Sequence, residues 1–335
     1  MGSRRARWFL LLCLLSFLIL CAFVVSVAVG PAAIPFRSIP RILMEGGGTG
    51  EHSILLYIRI PRILLAFAVG GALSLAGTIL QGMFRNPLVE PYTLGISGGA
   101  SLGVCIVVVF RLQTFVGPML VPAAGFLGAV LVVFSVYTLS LRKGMLKTQG
   151  MLLIGVMISF ISSSLVMLMM AVSRTEDLHS IVFWIMGSLD EPNPFLVNVA
   201  AWGSVAGLLL SYPYSLDLNA LALGEEEAVH LGVRVERTKR ALFLIASLLA
   251  GVSVAVAGLI GFVGLVVPHL IRIFTGMDHR ILFLGSFLAG GCFLILCDTF
   301  ARTIIAPLEL PVGVITGFIG GTIFIVALSK RRLAL

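Results

Sequence analysis

Long apolar runs recur along the whole of this 335-residue chain, many of them about 20 residues long and separated by short charged or Pro/Gly-rich breaks. A helix needs about 20 apolar residues to cross a hydrocarbon layer roughly 30 Å thick. Spans are therefore predicted near residues 8–30, 57–83, 92–110, 117–140, 149–172, 192–211, 239–260, 262–275, 281–300 and 311–329. Hydrophobic residues make up 59% of the chain and charged residues 11%, against roughly 25% charged in soluble domains. A water-soluble fold has no room to hide that much apolar surface. The expected fold class is all-α, a polytopic membrane protein of about ten transmembrane helices forming one domain over residues 1–335. The apolar stretch 181–186 is too short to cross and reads as a helix near the surface. The first run follows Arg4, Arg5 and Arg7, and it exceeds the roughly 7 to 15 residues of a cleaved signal core, so it reads as a retained span.

The net charge of +8 does not point to nucleic acid, because the basic residues form no continuous stripe and no aromatic platform lies among them. They cluster between the apolar runs, as cytoplasmic loops require. With the N-terminus inside and the sides alternating, 16 of the 23 Lys and Arg residues fall inside and 7 outside. Both termini are thus expected in the cytoplasm. Cys13, Cys21, Cys105, Cys292 and Cys297 all lie in apolar runs, where a thiol acts as a small hydrophobe. No Cys or His spacing resembles a metal site, so no metal is expected.

Laying the segment after Leu65 on the one after Ala246 pairs Gly70, Ala76, Gly77, Ile79 and Pro87 with Gly251, Ala257, Gly258, Ile260 and Pro268 at a single offset. The two helices would run in opposite directions, the plan of an inverted repeat. Small residues such as Gly70, Gly71, Ser74, Gly77, Gly313 and Gly317 suit close helix packing in lipid. No G-x-x-x-x-G-K-[ST] phosphate loop and no catalytic constellation occurs in a soluble segment. The chain is expected to be no enzyme and to bind no cofactor itself.

Three stretches carry a family resemblance: GTILQGMFRNPLVEPYTLGISGGASLG at 77–103, GLIGFVGLVVPHLIRIFTGMDHR at 258–280 and ELPVGVITGFIGGTIFI at 309–325. They resemble the FecCD-type permeases of ABC importers for iron-siderophore complexes, haem and cobalamin. The resemblance implies the inverted-repeat importer permease fold in a bacterial or archaeal cytoplasmic membrane. It also implies a second permease copy, a homodimer being expected, around a central path through the lipid. Two ATP-binding subunits that use ATP and Mg, and an external solute-binding protein, complete such machines. An iron chelate is the first expectation for cargo, then cobalamin, haem or an oxyanion.

Residues 217–223 and 225–231 each read as a short amphipathic helix, broken at Gly224. From the residues alone this is either a docking element or a solvated loop. The resemblance makes the stretch of about 215–238 the coupling loop, with Leu221, Gly224, Glu225, Glu226, Glu227 and Leu231 touching the ATPase. Arg59 and Arg62 bracket Pro61 at the edge of the second span, where snorkelling alone would account for them. The resemblance instead puts them, with Arg302, in a pocket receiving glutamates of the binding protein. Asp298 lies one helical turn from Arg302, and an internal ion pair is predicted. The resemblance also puts Lys147 and Thr148 at a narrow inner gate, although Lys147 equally suits a positive-inside anchor. Met151, Met157, Met167, Met169 and Met170 read as packing residues. His179 is the one histidine worth testing for haem contact. An ion-coupled secondary transporter would call for several intramembrane acids, and Asp298 is the single clear one.

Overall fold

The structure, a computed structural model, describes residues 2–30, 39, 42, 50–142, 145–191 and 193–329. Arg37, Arg41, Lys143, Lys330, Arg331 and Arg332 of the charge count lie outside the described residues. Seven helices among the described residues are long and apolar enough to cross a membrane, and the shorter apolar helices Ile96–Val109, Val263–Thr275 and Val312–Ala327 occupy the three remaining expected spans.

The elements used below are α1 (Gly2–Ala28), α2 (Ile60–Phe84), α3 (Ile96–Val109), α4 (Leu120–Ser140), α5 (Thr148–Val172), α6 (Thr175–Met186), α7 (Pro194–Ser211), α8 (Ser215–Leu221), α9 (Glu225–His230), α10 (Val235–Ala257), α11 (Val263–Thr275), α12 (His279–Thr303) and α13 (Val312–Ser329). The α6 helix, only 12 residues long, covers the stretch expected as a short surface helix.

The bundle is built around α2. Helical segment Gly50–Phe84 is buried over 89% of its most apolar window, against 22% for α1, α4 and α5. In lipid nothing apolar is gained by hiding one oily side chain behind another, so close backbone approach selects which helix sits at the centre. A β-carbon added at Gly70 would strike the Gly290 carbonyl of α12, and one added at Gly290 would strike that of Gly70. Gly77 meets the Gly264 carbonyl of α11 in the same way, and Gly99 of α3 and Gly128 of α4 exclude each other's β-carbon. Phe67 and Phe287 pack edge to face at 5.6 Å beside the Gly70–Gly290 crossing.

The two halves of the weak internal repeat are not used alike. Gly251, the counterpart of Gly70, has its nearest neighbour beyond its own helix backbone, the Phe126 ring of α4, at 3.6 Å, which leaves room for a methyl group. Pro87 follows the end of α2, whereas Pro268 lies inside α11.

Between α10 and α11 the backbone leaves the helix, with Gly258 at φ 67° and Phe262 at φ 68°. Irregular backbone at membrane depth is stable only when protein buries it. Here the Ile260 N–H donates to the Tyr92 hydroxyl at 3.3 Å, and the Ser188 N–H donates to the Ala257 carbonyl at 2.9 Å. Among the described residues one element departs from an all-helical reading: Leu141–Arg142 and Met145–Leu146 pair as a two-residue antiparallel hairpin, Leu141 opposite Leu146.

Candidate functional site

Chemistry-bearing side chains gather at the two ends of α2. At its start, the tight α2–α12 packing brings Arg62 against Asp298, 236 positions away in sequence. Arg62 donates Nε and Nη2 to Asp298 Oδ1 at 3.0 and 2.9 Å, and Nη1 to Glu309 Oε2 at 2.8 Å. Arg302 reaches the other Asp298 oxygen with Nε at 2.9 Å, so the predicted ion pair within α12 is present. Arg302 Nη2 also donates to Ser26 Oγ at 2.8 Å. Arg59 donates Nη1 to the Val27 and Ala28 carbonyls, where the end of α1 presents its partial negative charge.

All three arginines are therefore held together, but buried: Arg59 and Arg302 are 3% exposed and Arg62 8%. Removing such charges from water costs several kcal/mol each unless geometry returns it; Arg62 recovers part of it with two nitrogens on Asp298, Arg302 through Nε on the other oxygen, and Arg59 through backbone carbonyls. Arg62 and Arg302 share the Asp298 carboxylate, and Glu309 gives Arg62 a second acid. Sequence reasoning missed Glu309, although it opens a quoted motif. It stands seven residues past Arg302, beyond the end of α12, so no helical periodicity links it to the cluster.

Next to this cluster, a cavity of about 670 Å³ opens between α4, α7 and the loop after α6, lined in part by Trp184, Asp190 and Glu191. Burial pushes the Glu191 carboxyl above its ordinary range, and neighbouring Asp190 adds to that, while the Asn193 N–H donated to it at 2.9 Å pulls the other way. His179 is exposed and lies against Phe183 at 4.3 Å between ring centres. Met151 is fully buried, as packing requires, but Met157 and Met167 are 46% and 69% exposed on the outer face of α5.

The opposite end carries the 215–238 stretch. Helices α8 and α9 are joined through Gly224 at φ 144°, a conformation that side chains avoid, which is why the pair can fold back as expected. Leu221, expected at a partner contact, is instead 2% exposed and packs inward. The large exposed apolar residues are Leu216, Leu223, Val229 and Leu231, with Glu226 and Glu227 exposed beside the last three. Glu225 has a different job. It lies 3.2 Å from the ammonium of Lys239, a lysine 2% exposed that also donates to the Leu146 carbonyl at 2.9 Å and pairs with Glu236 at 2.8 Å. The Leu146 N–H in turn donates to Glu236 Oε2 at 2.8 Å. Lys147, exposed, and Thr148, half-buried, follow directly at the start of α5. The two segments expected as coupling loop and gate are thus joined through one buried lysine. Sequence reasoning passed over Lys239 because it read as one more positive-inside residue.

At this end Asp278 accepts from Arg280 Nε and Nη2 at 3.1 and 2.8 Å and from Asn219 at 3.1 Å. Those bonds, chiefly from Arg280, hold its carboxyl at about 2. Among the described residues no group of three His, Cys, Asp or Glu side chains is placed to hold a metal ion.

The profile of the FecCD transport family matches residues 18–330. The hemin transport system permease protein HmuU of Yersinia pestis is 42% identical over 83% of this chain and 84% of its own length. The cobalamin import system permease protein BtuC of Halobacterium salinarum is 38% identical over 82% of this chain and 73% of its own length. A solved inward-facing structure described as a metal-chelate type ABC transporter superposes with a TM-score of 0.83 at 30% identity, covering 96% of this chain and 99% of that one.

Proposed function

Because this chain belongs to the FecCD transport family and is an ABC importer permease, we propose that it imports an iron chelate by ATP-driven alternating access. In this reading two copies enclose the path, and each copy docks one ATP-binding subunit through the α8–α9 element. Leu223, Val229 and Leu231 give that element an apolar face, and Glu226 and Glu227 give it charge that a basic cleft would read. The termini and this element lie on the cytoplasmic side. An external binding protein docks over the cluster of Arg59, Arg62 and Arg302, whose guanidinium groups suit bidentate pairing with acids of that partner.

The observation that carries the mechanism is the Lys239 link. Movement of α9 pulls on Glu225, and Lys239 transmits it to the Leu146 carbonyl, next to the proposed gate at Lys147 and Thr148. Each ATP-driven cycle then acts on the conformation of the bundle, leaving the covalent bonds of the cargo untouched.

Haem is the second reading, favoured by the 42% identity to a hemin permease. The test is uptake into vesicles holding the permease, its ATPase and its binding protein. A labelled ferric siderophore, hemin and cobalamin are compared with and without ATP. ATP-dependent accumulation of an iron chelate is the expected result. Uptake of none of them, or uptake that ignores ATP and follows an ion gradient, overturns the reading.

A further inference from the structure

The end of α2 near the α8–α9 element holds a pocket that neither docking nor gating uses. It encloses about 220 Å³ between the end of α2, α11, the start of α12 and Ala222. Arg85, Arg272, His269, His279, Gln81 and Asn86 line it, and among the described residues no carboxylate does. Arg272 donates Nη2 to Gln81 Oε1 at 3.2 Å, and Gln81 is held in turn by its own bond to the Gly264 carbonyl at 3.2 Å. Among the described residues, the buried Nε of Arg272 and both ring nitrogens of buried His269 have no hydrogen-bond partner. His269 is 6% exposed. Buried polar atoms rarely stay unpaired, and an unpaired one in a built pocket calls for an occupant. His279 Nδ1 donates to Asn219 Oδ1 at 2.8 Å, which also takes the His279 N–H, so the ring is fixed with its Nε2 against Gly82. Asp278, next in sequence to His279, is already taken by Arg280, Asn219 and Arg4.

Two guanidinium groups and a buried imidazole, with no carboxylate among the described residues of the lining, select an anion. Guanidinium forks match the tetrahedral edge of a phosphate. The pocket opens beside a run of exposed apolar residues: Ile273 is 46% exposed, Phe274 73% and Met277 65%. A basic pocket between spans, flanked by surface suited to acyl chains, is the pattern of headgroup recognition.

We propose that this pocket binds an oxyanion of the phosphate type, supplied either by the headgroup of an anionic phospholipid or by free inorganic phosphate. The proposal rests on the importer reading only for the side: the cytoplasmic leaflet or the cytoplasm supplies the ligand. Because Ala222 of the coupling stretch forms one wall, an occupied pocket joins that stretch to α2, α11 and α12.

The experiment is native mass spectrometry of the purified full chain in detergent, titrated separately with short-chain phosphatidylglycerol, short-chain phosphatidylcholine and inorganic phosphate. The expected result is one phosphatidylglycerol bound at least about tenfold more tightly than phosphatidylcholine, lost by a similar factor in the Arg85→Gln/Arg272→Gln double variant. If inorganic phosphate binds with that same residue dependence and the two lipids do not differ, the site stands and its source is free phosphate. Arg85→Gln alone, at an exposed position, is expected to weaken binding several-fold and decides the matter if the double variant is not recovered. Ligands that bind wild type and variants equally, or no ligand binding to wild type, overturn the proposal. Uptake is not the readout, so failure here is separate from failure of the importer reading.

Discussion

The ammonium of Lys239 lies 3.2 Å from the Glu225 carboxylate, a bond between the base of α10 and the start of α9 that places a fully buried charge between the 215–238 stretch and the hairpin before α5. Lys239→Met removes the donor shared by Glu225, Glu236 and the Leu146 carbonyl. It is expected to cost about 2 kcal/mol of stability and to depress uptake more than that loss accounts for. Glu225→Gln leaves Lys239 paired with Glu236, and because Glu225 is 46% exposed its loss is expected to cost under about 1 kcal/mol. Thermal unfolding in detergent and ATP-driven uptake check both variants. Normal uptake by a folded Lys239→Met protein would discard the transmission role.

Charge reversal at Glu226 and Glu227, combined with Leu223→Ser, changes exposed residues only. Stability is expected to move by no more than about 0.5 kcal/mol. Copurification with the ATP-binding subunit should fall at least about tenfold. Glu225 is best left out of this test, since its bond to Lys239 would confuse folding with docking.

The glycine pair Gly70 and Gly251 separates packing from repeat symmetry. Gly70→Ala drives a methyl group into the Gly290 carbonyl and is expected to destabilise by about 3 kcal/mol. Gly251→Ala meets only ordinary contact at 3.6 Å and is expected to be neutral or to stabilise by up to about 1 kcal/mol. Equal losses at both positions, read from melting temperatures, would mean that the repeat and not the local packing governs.

Asp298→Asn leaves Arg62 and Arg302 buried without the acid they share, and a loss of about 3 to 5 kcal/mol is expected. Glu309→Gln should cost less, because the Glu309 side chain is 38% exposed. Arg59→Glu together with Arg62→Glu should weaken binding-protein affinity, measured by pull-down on folded protein. Unchanged affinity would remove the docking role of the cluster.

Asp278 gives a pH signature. Its folded value is depressed from 3.8 to about 2, so the stability it adds is fully present above the unfolded value and is lost as pH falls through the interval between the two. Wild type should therefore lose stability more steeply than Asp278→Asn between about pH 4 and pH 2. Parallel melting curves over that interval would show that Asp278 takes no part.

Ten helical stretches were legible in the sequence because the length of an apolar run is a local property and the thickness of a bilayer sets its scale. The break at Gly224 and the pair Asp298–Arg302 were legible for the same reason, each resting on neighbours within a turn or two. The tertiary structure alone decided the rest. It turned Leu221 inward and Leu223 outward, and joined Arg62 to Asp298 and Glu309 across more than 230 positions. It also made Lys239 a buried junction and not a surface anchor. Which face of a helix is covered, and which charge meets which, depends on how closely backbones approach at pairs such as Gly70 and Gly290. Hydropathy fixes which segments cross the bilayer, but it leaves open which of the crossing helices touch.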